Sequence, residues 1–236
     1  VTGDYKTDPD PTCSAFESVR CDTFITETTF GLPVFRWPDV SEVFAEIDAW
    51  WRENRAQGRN SLLYGYALGK AQRLLCGVDA SVGPILVHGS VAKLNEAYRD
   101  GGIDLPETLP ATAENAARFA GEALIVAPPS AGGSTWVRKF LPGSDAFASG
   151  WMTMRGTRRQ RSGDRGFILS DHVDWPQLLD AVDASGAEQV WTTHGYADVV
   201  ARYLTEEQGL DARPLPAQAV RREALEETEA LGDEDS

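Results

Sequence analysis

The 236-residue chain has few cysteines and no long apolar run, and each of these shortages excludes a class of protein. Cys13, Cys21 and Cys76 are odd in number and not closely spaced, which excludes a disulfide framework and a zinc finger built on paired cysteines. No stretch reaches the ~18 apolar residues of a membrane span, and no signal peptide is visible. We therefore expect a cytoplasmic protein with no membrane partner.

Basic residues are also scarce, with 22 Lys and Arg against 36 Asp and Glu, and this argues against nonspecific nucleic-acid binding. Their distribution is uneven, because residues 151–166 carry five arginines and one acid. Such a stretch can hold a polyanion locally, since screening confines the surrounding acidic field to about 10 Å. We expect phosphate contacts there, with a solvated surface loop as the alternative. The arginines are Arg155, Arg158, Arg159, Arg161 and Arg165.

Strand-like and helix-like segments alternate along the chain, which predicts an α/β fold. Short apolar runs precede Glu27, His172 and His194, and Asp4 follows a glycine near the start. Ligands of open α/β sheets bind at the carboxyl ends of the strands. Imidazoles and carboxylates gathered there are typical of metal binding and acid–base catalysis.

Each of the two acids also has a structural interpretation. Asp4 could be a turn aspartate that hydrogen-bonds its own backbone, or a carboxylate whose two oxygens bridge two metal ions. Glu27 could cap a helix or a loop, or it could orient a neighbouring imidazole and hold it protonated.

The three histidines leave similar alternatives open. His172 could donate a proton to a leaving group, or stand at a helix N-terminus capped by Asp171 or Asp174. His194 could ligate zinc, or be a satisfied polar residue at a strand-to-helix turn. His88 has a similar local sequence, but it lies in the middle segment of the chain, and we interpret it as structural.

The ordered set of motifs resembles the β-CASP branch of the metallo-β-lactamase nucleases, and within it the ligase-associated DNA exonucleases, also described as similar to an mRNA 3′-end processing factor. The motifs are Thr-Gly-Asp4-Tyr-Lys, Thr-Phe-Ile-Thr-Glu27-Thr-Thr-Phe-Gly, Tyr-Ala67-Leu-Gly-Lys-Ala-Gln-Arg, Ala148-Ser-Gly-Trp-Met, Ser-Asp-His172-Val-Asp-Trp and Thr-His194-Gly. The resemblance implies a partial metallo-β-lactamase αββα fold with an inserted β-CASP α/β domain. The expected divisions are the first metallo-β-lactamase segment at 1–38, the β-CASP domain at 39–149, the return segment at 150–218 and an acidic tail at 219–236.

The resemblance also implies roles. Asp4 would bridge two zinc ions, His194 would bind the second, and His172 would act as the general acid with Glu27 paired to it. The reaction would be exonucleolytic hydrolysis of single-stranded nucleic-acid ends, with DNA the expected substrate. The expected context is DNA repair beside a DNA ligase or helicase.

One departure from the family bears on activity. The family's His-x-His-x-Asp-His motif should precede Asp4, yet the first histidine here is His88. We therefore expect a C-terminal fragment that is inactive alone. The alternatives are an RNA 3′-end processing nuclease of the same family, a hydrolase of a smaller substrate, and a noncatalytic nucleic-acid-binding module.

Overall fold

The structure is a computed structural model that describes residues 1–154, 156 and 163–215. The chain divides into two compact units. Unit 1 comprises Val1–Thr7, Phe16–Arg36 and His172–Ser236, and unit 2 comprises Asp8–Ala15 and Trp37–Asp171. None of the helices in the described part of the chain combines the length and the apolar character that crossing a bilayer requires.

The described residues form strands and helices that alternate along much of the chain. The strands are β1 (Thr23–Glu27), β2 (Asn60–Tyr64), β3 (Ile85–Val87), β4 (Leu109–Pro110), β5 (Leu124–Ala127), β6 (Gly143–Ala148), β7 (Arg165–Phe167), β8 (Gln189–Thr193) and β9 (Asp211–Pro214). The α-helices are α1 (Val40–Ala56), α2 (Lys70–Gly77), α3 (Gly89–Asp100), α4 (Ala113–Arg118), α5 (Trp175–Ser185) and α6 (Ala197–Gln208). Short 3₁₀ turns span Pro129–Ala131, Thr135–Phe140 and Gly150–Thr153.

Unit 1 contains a parallel three-stranded sheet in the order β1-β8-β9. Phe24 of β1 and Val190 of β8 pack in one cluster with Leu178 of α5 and Val200 of α6. The start of α5 is fixed by a capping box, in which Asp174 accepts from the Gln177 amide and the Gln177 side chain accepts from the Asp174 amide. Reciprocal capping satisfies amides that a helix start would leave unpaired.

Unit 2 contains a parallel six-stranded sheet in the order β4-β3-β5-β2-β6-β7. Successive residues of β2 point to opposite faces, so Leu63 packs in one apolar cluster while Leu62 and Tyr64 pack in the other. A parallel sheet that is buried on both faces needs strands that are apolar on both sides. The mixed α/β fold with parallel sheets is therefore confirmed, whereas the metallo-β-lactamase and β-CASP identities stay predictions.

The apolar run before His172 overlaps β7, Arg165–Phe167, which pairs with β6 in the sheet of unit 2. The strand before His172 thus does not share a sheet with Glu27, whose strand pairs with β8. The two units divide between Asp171 and His172. The apolar run indicated a strand but could not indicate which strand it pairs with.

Unit 2 buries an ionic cluster around Arg73 of α2. The Arg73 Nε lies 3.4 Å from Asp10 Oδ2, and both side chains are at most 3% exposed. Arg73 also donates to the Ser170 carbonyl and pairs with Asp171 at 3.2 Å. Lys70 on the same helix donates to the Leu169 carbonyl and pairs with Asp171 at 3.0 Å. The segment at residues 8–15 is thus attached to unit 2 by a buried charge pair.

Removing one partner of a buried pair leaves the other charge uncompensated. We expect Asp10→Ala to lower the free energy of unfolding by about 3 kcal/mol, measured by chemical denaturation. As a control, Glu206→Ala removes half of an exposed pair with Arg202 and should change stability by less than about 0.5 kcal/mol. Equal effects of the two variants would contradict a structural role for the buried pair.

Candidate functional site

Parallel pairing within unit 1 places Glu27 and His194 at the same sheet edge. Glu27 is the last residue of β1, and its register partner is Thr193, the last residue of β8. The Thr28 amide continues the pairing by donating to the Thr193 carbonyl at 2.8 Å. His194 therefore begins its turn beside Thr28, one residue beyond Glu27. The ends of β1 and β8 therefore meet at one edge of the sheet.

Glu27 is a buried carboxylate with partners on both oxygens. Its side chain is 1% exposed, and its Oε1 lies 2.9 Å from His172 Nδ1. Oε2 accepts from the Thr29 amide at 3.0 Å, and Oε1 from the Tyr5 amide at 3.4 Å. Burial alone would raise the pKa of Glu27, but the hydrogen bond and charge of His172, with the bonds from Thr29, lower it below its ordinary value. Glu27 is thus both a loop cap and the imidazole's partner.

His172 lies two residues before Asp174, the N-cap of α5. The helix-terminal placement that we considered is therefore present, with Asp174 as the cap. The imidazole is 27% exposed, and the Phe30 ring packs edge-on against it at 5.6 Å between centroids. Because Nδ1 faces Glu27, Nε2 is the ring nitrogen that could exchange a proton with a bound substrate.

Asp4 follows Gly3, whose φ of +59° gives a left-handed turn that glycine adopts readily. The Asp4 side chain is 66% exposed, and its Oδ1 lies 3.9 Å from His172 Nδ1. Asp4, Glu27 and His172 each offer one ligand atom, and these atoms all lie within 4.8 Å of one another. The structure therefore brings three of the four predicted residues together.

The chemistry of this donor set decides how well it fits zinc. Tetrahedral zinc with bonds of about 2.0–2.1 Å holds neighbouring ligand atoms about 3.4 Å apart. The 2.9 Å between Glu27 and His172 is instead a hydrogen bond through the atoms that would otherwise coordinate. The described residues therefore leave Asp4 and His194 as possible ligands and do not fit a complete four-ligand site.

His194 is exposed and lies outside the Asp4–Glu27–His172 group. Its φ of +59° is left-handed, and among the described residues no other non-glycine has a positive φ. Its Nδ1 lies 3.1 Å from Thr193 Oγ1, and its carbonyl accepts from the Thr28 hydroxyl at 2.5 Å. Such backbone strain persists only where the surroundings enforce it, and it is frequent at functional sites.

Tyr5 supports the site and was missed in the sequence, although it directly follows Asp4. Its ring is buried and its hydroxyl lies 3.0 Å from Thr26 Oγ1. Burial raises the pKa of Tyr5 to about 12, with the Glu27 charge adding to the shift and the Thr26 bond opposing it. Tyr5 thus anchors the N-terminal segment against β1 and presents its amide to Glu27. Only its position beside a candidate ligand could have indicated this role.

The remaining candidates lie in unit 2 or outside the described residues. Arg165, 38% exposed, lies over the Phe167 ring and 3.9 Å from Glu46. Arg155, Arg158, Arg159 and Arg161 lie outside the described residues. His88 caps α3 by accepting from the Ser90 amide, which supports the structural interpretation. Burial, and secondarily the Lys139 charge, lower the pKa of His88.

Comparison with known proteins gives one curated relative and a fold likeness. No protein-family model matches this chain. A protein of Opitutus terrae named "Probable DNA ligase" is 33% identical over 211 residues, which are 89% of this chain but 20% of that protein. The chain thus spans about a fifth of the curated relative. The crystal structure of a protein of unknown function from Enterococcus faecalis V583 is similar in fold, with a TM-score of 0.51, 13% identity, and coverage of 84% of this chain and 51% of that one.

The lowered pKa of Glu27 predicts an acid-sensitive contribution to stability. A carboxylate whose pKa falls on folding stabilises fully above its ordinary pKa of 4.5, and this contribution is lost as pH drops through the folded value. We expect Glu27→Gln to flatten the fall in unfolding free energy below about pH 4.5, measured by denaturation across pH. The exposed Glu17 of unit 1 gives the control Glu17→Gln, which should leave the slope unchanged. An unaltered slope in Glu27→Gln would refute the assignment.

Proposed function

We propose that this chain contributes to a metal-dependent phosphodiesterase that removes nucleotides from single-stranded DNA ends during DNA repair. The hydrogen bond between buried Glu27 and partly exposed His172 is the observation that carries this proposal. An imidazole held by a buried carboxylate is the recurring arrangement of a general acid–base pair.

His172 acts as the general acid. Glu27 orients the ring through Nδ1 and stabilises its positive charge, so that Nε2 can deliver a proton to the leaving alkoxide. Thr29 and Tyr5 keep the carboxylate in place through their amides. Phe30 covers one side of the ring, and this restricts its rotation and its hydration.

Asp4 and His194 would contribute ligands to a two-zinc centre whose remaining ligands are not among the described residues. Bound zinc would activate water and neutralise charge on the phosphate. The exposure of both side chains suits residues that meet a ligand. We also propose a metallo-β-lactamase fold with a β-CASP insertion, on the basis of the sequence motifs that resemble that family.

The DNA context has separate support from the curated relative, which is named as a DNA ligase and matches most of this chain. A nuclease segment joined to or acting beside a ligase would prepare ends for sealing. RNA 3′-end processing is the alternative within the same chemistry. The same assay with RNA ends in place of DNA distinguishes the two.

A noncatalytic nucleic-acid-binding module is the second candidate. It is favoured by the incomplete donor set, because a hydrogen bond already joins Glu27 and His172, two of the three grouped residues. Such a module would bind DNA through the basic stretch without cleaving it. Nuclease activity measured in the presence of a segment that carries the His-x-His-x-Asp-His motif separates the two candidates. Cleavage favours the phosphodiesterase, and binding without cleavage favours the module.

We expect the chain alone, with zinc, to release no nucleotides from single-stranded DNA. Co-expression with a segment carrying the His-x-His-x-Asp-His motif should give activity. In that complex, His172→Ala should reduce kcat by about 10²- to 10⁴-fold. His88→Asn, which keeps a capping side chain, is the matched histidine control and should retain activity. Full activity of the chain alone, or of His172→Ala, would contradict this function.

The basic stretch should govern the salt dependence of DNA binding. For a single strand, each phosphate that a side chain no longer neutralises reduces the slope of log K against log salt by about 0.7. We expect the double variant Arg158→Ala, Arg159→Ala to flatten this slope, measured by fluorescence anisotropy. The control Arg52→Ala, Arg55→Ala removes the same charge from α1, where both arginines are paired with acids. Equal slopes in the two double variants would exclude these arginines as phosphate ligands.

A further inference from the structure

Unit 2 contains a cavity of about 390 Å³ at the carboxyl ends of its strands. Tyr64, the last residue of β2, lines it together with its register partner Phe147 of β6. Pro129, just beyond β5, forms another part of the wall. This edge of a parallel sheet is where α/β folds bind ligands, and the volume falls within the range of small-molecule sites.

Tyr64 and Asp145 form a polar pair in the wall of the cavity. Tyr64 is 6% exposed. Burial, followed by the charge of Asp145 and the hydrogen bond between the two side chains, raises the pKa of the Tyr64 hydroxyl. The pair therefore offers a ligand a hydroxyl beside two carboxylate oxygens.

Asp145 supplies acceptors in the same cavity. It lies two residues before Phe147 on β6, on the same face, and is half-buried. No lysine or arginine of the described residues forms an ion pair with it. Burial, together with the Asp164 charge, raises the pKa of Asp145, while Tyr64 opposes the shift. Its carboxyl can accept two parallel N–H bonds.

The remaining walls favour a flat ring. Tyr66 is 64% exposed although it is a large aromatic side chain, and Phe147 presents a second ring. Gly132, which also lines the cavity, adds no side chain beside the Tyr64 ring, and a Cβ there would lie in ordinary contact with that ring at 3.5 Å. Aromatic faces with little side-chain bulk beside them suit a planar ligand that stacks on them.

We propose that this cavity binds a nucleobase, with guanine preferred. Guanine carries a ring N–H and an amine side by side, which match the two acceptor oxygens of Asp145. Its neighbouring O6 is an acceptor, to which the Tyr64 hydroxyl can turn from Asp145 once the donors of the base engage that carboxylate. Adenine lacks the ring N–H and uracil lacks the amine, so neither provides both donors together. Tyr66 stacks on the base.

A divalent cation is the rival occupant, because Asp145 and Asp164 are both acidic. Among the described residues, however, the only group of three or more possible ligands is the one in unit 1. A cation would also leave the exposed ring of Tyr66 without a role. Guanosine binding that persists in excess EDTA therefore supports the base, and binding abolished by EDTA overturns it.

The test is calorimetric titration of the full chain with free nucleosides, in which no bond is cleaved, so the result is independent of hydrolysis by unit 1. Guanosine should bind at least about tenfold more tightly than adenosine or uridine. Asp145→Asn, which keeps the shape, should reduce guanosine affinity at least about tenfold and abolish the preference. Tyr66→Ala should reduce the binding of every nucleoside that is detected.

Tyr64→Phe removes only the hydroxyl and separates binding from folding. It should weaken guanosine binding by about two- to tenfold in a chain that still folds, as circular dichroism would check. Tyr203→Phe, in unit 1, is the matched control and should bind guanosine normally. No guanosine binding at about 1 mM, equal binding of the three nucleosides, or unchanged affinity in a folded Asp145→Asn would each overturn the proposal.

Discussion

The candidate site depends on the parallel pairing of β1 with β8. These strands are more than 160 residues apart in sequence, yet Glu27 and Thr193 face each other at their ends. A shift of one residue would send every side chain of β1 to the opposite face, and Glu27 would then lose its buried position beside His172. Phe24 and Val190 fix the register by packing into the same core as α5 and α6. Ordinary apolar packing therefore sets the geometry of the polar site.

Buried charge is used differently in the two units. In unit 1 the carboxylate of Glu27 meets an imidazole that is still 27% exposed, so the pair remains accessible to a ligand. In unit 2 the Arg73 and Asp10 side chains are both almost fully buried, so their pairing serves the structure. A buried ion requires a partner in either case. The degree to which that partner is exposed separates a site that can react from one that only holds segments together.

Much of the local structure could be predicted from the sequence, because apolar runs identify strands whatever their partners are. The strands before Glu27 and His194 are in place, and the parallel sheet explains why their ends meet. The partner of β7 could not be predicted, since alternation carries no information about neighbours. The anchoring role of Tyr5 and the left-handed backbone of His194 were also inaccessible, because both arise from contacts with residues distant in sequence.

Gly195 has a consequence for how substitutions in this protein will be interpreted. A Cβ there would lie 2.5 Å from both the Thr28 carbonyl oxygen and the Thr29 Cα, and its φ is +54°. Any other residue would push the two strand ends apart, displacing His194 and the loop that holds Glu27. In a mutational screen, a substitution at this glycine would therefore resemble removal of Glu27 or His194 itself. Whether a substitution is tolerated at these strand ends therefore depends on how closely the backbones approach each other as well as on the chemistry of the side chain.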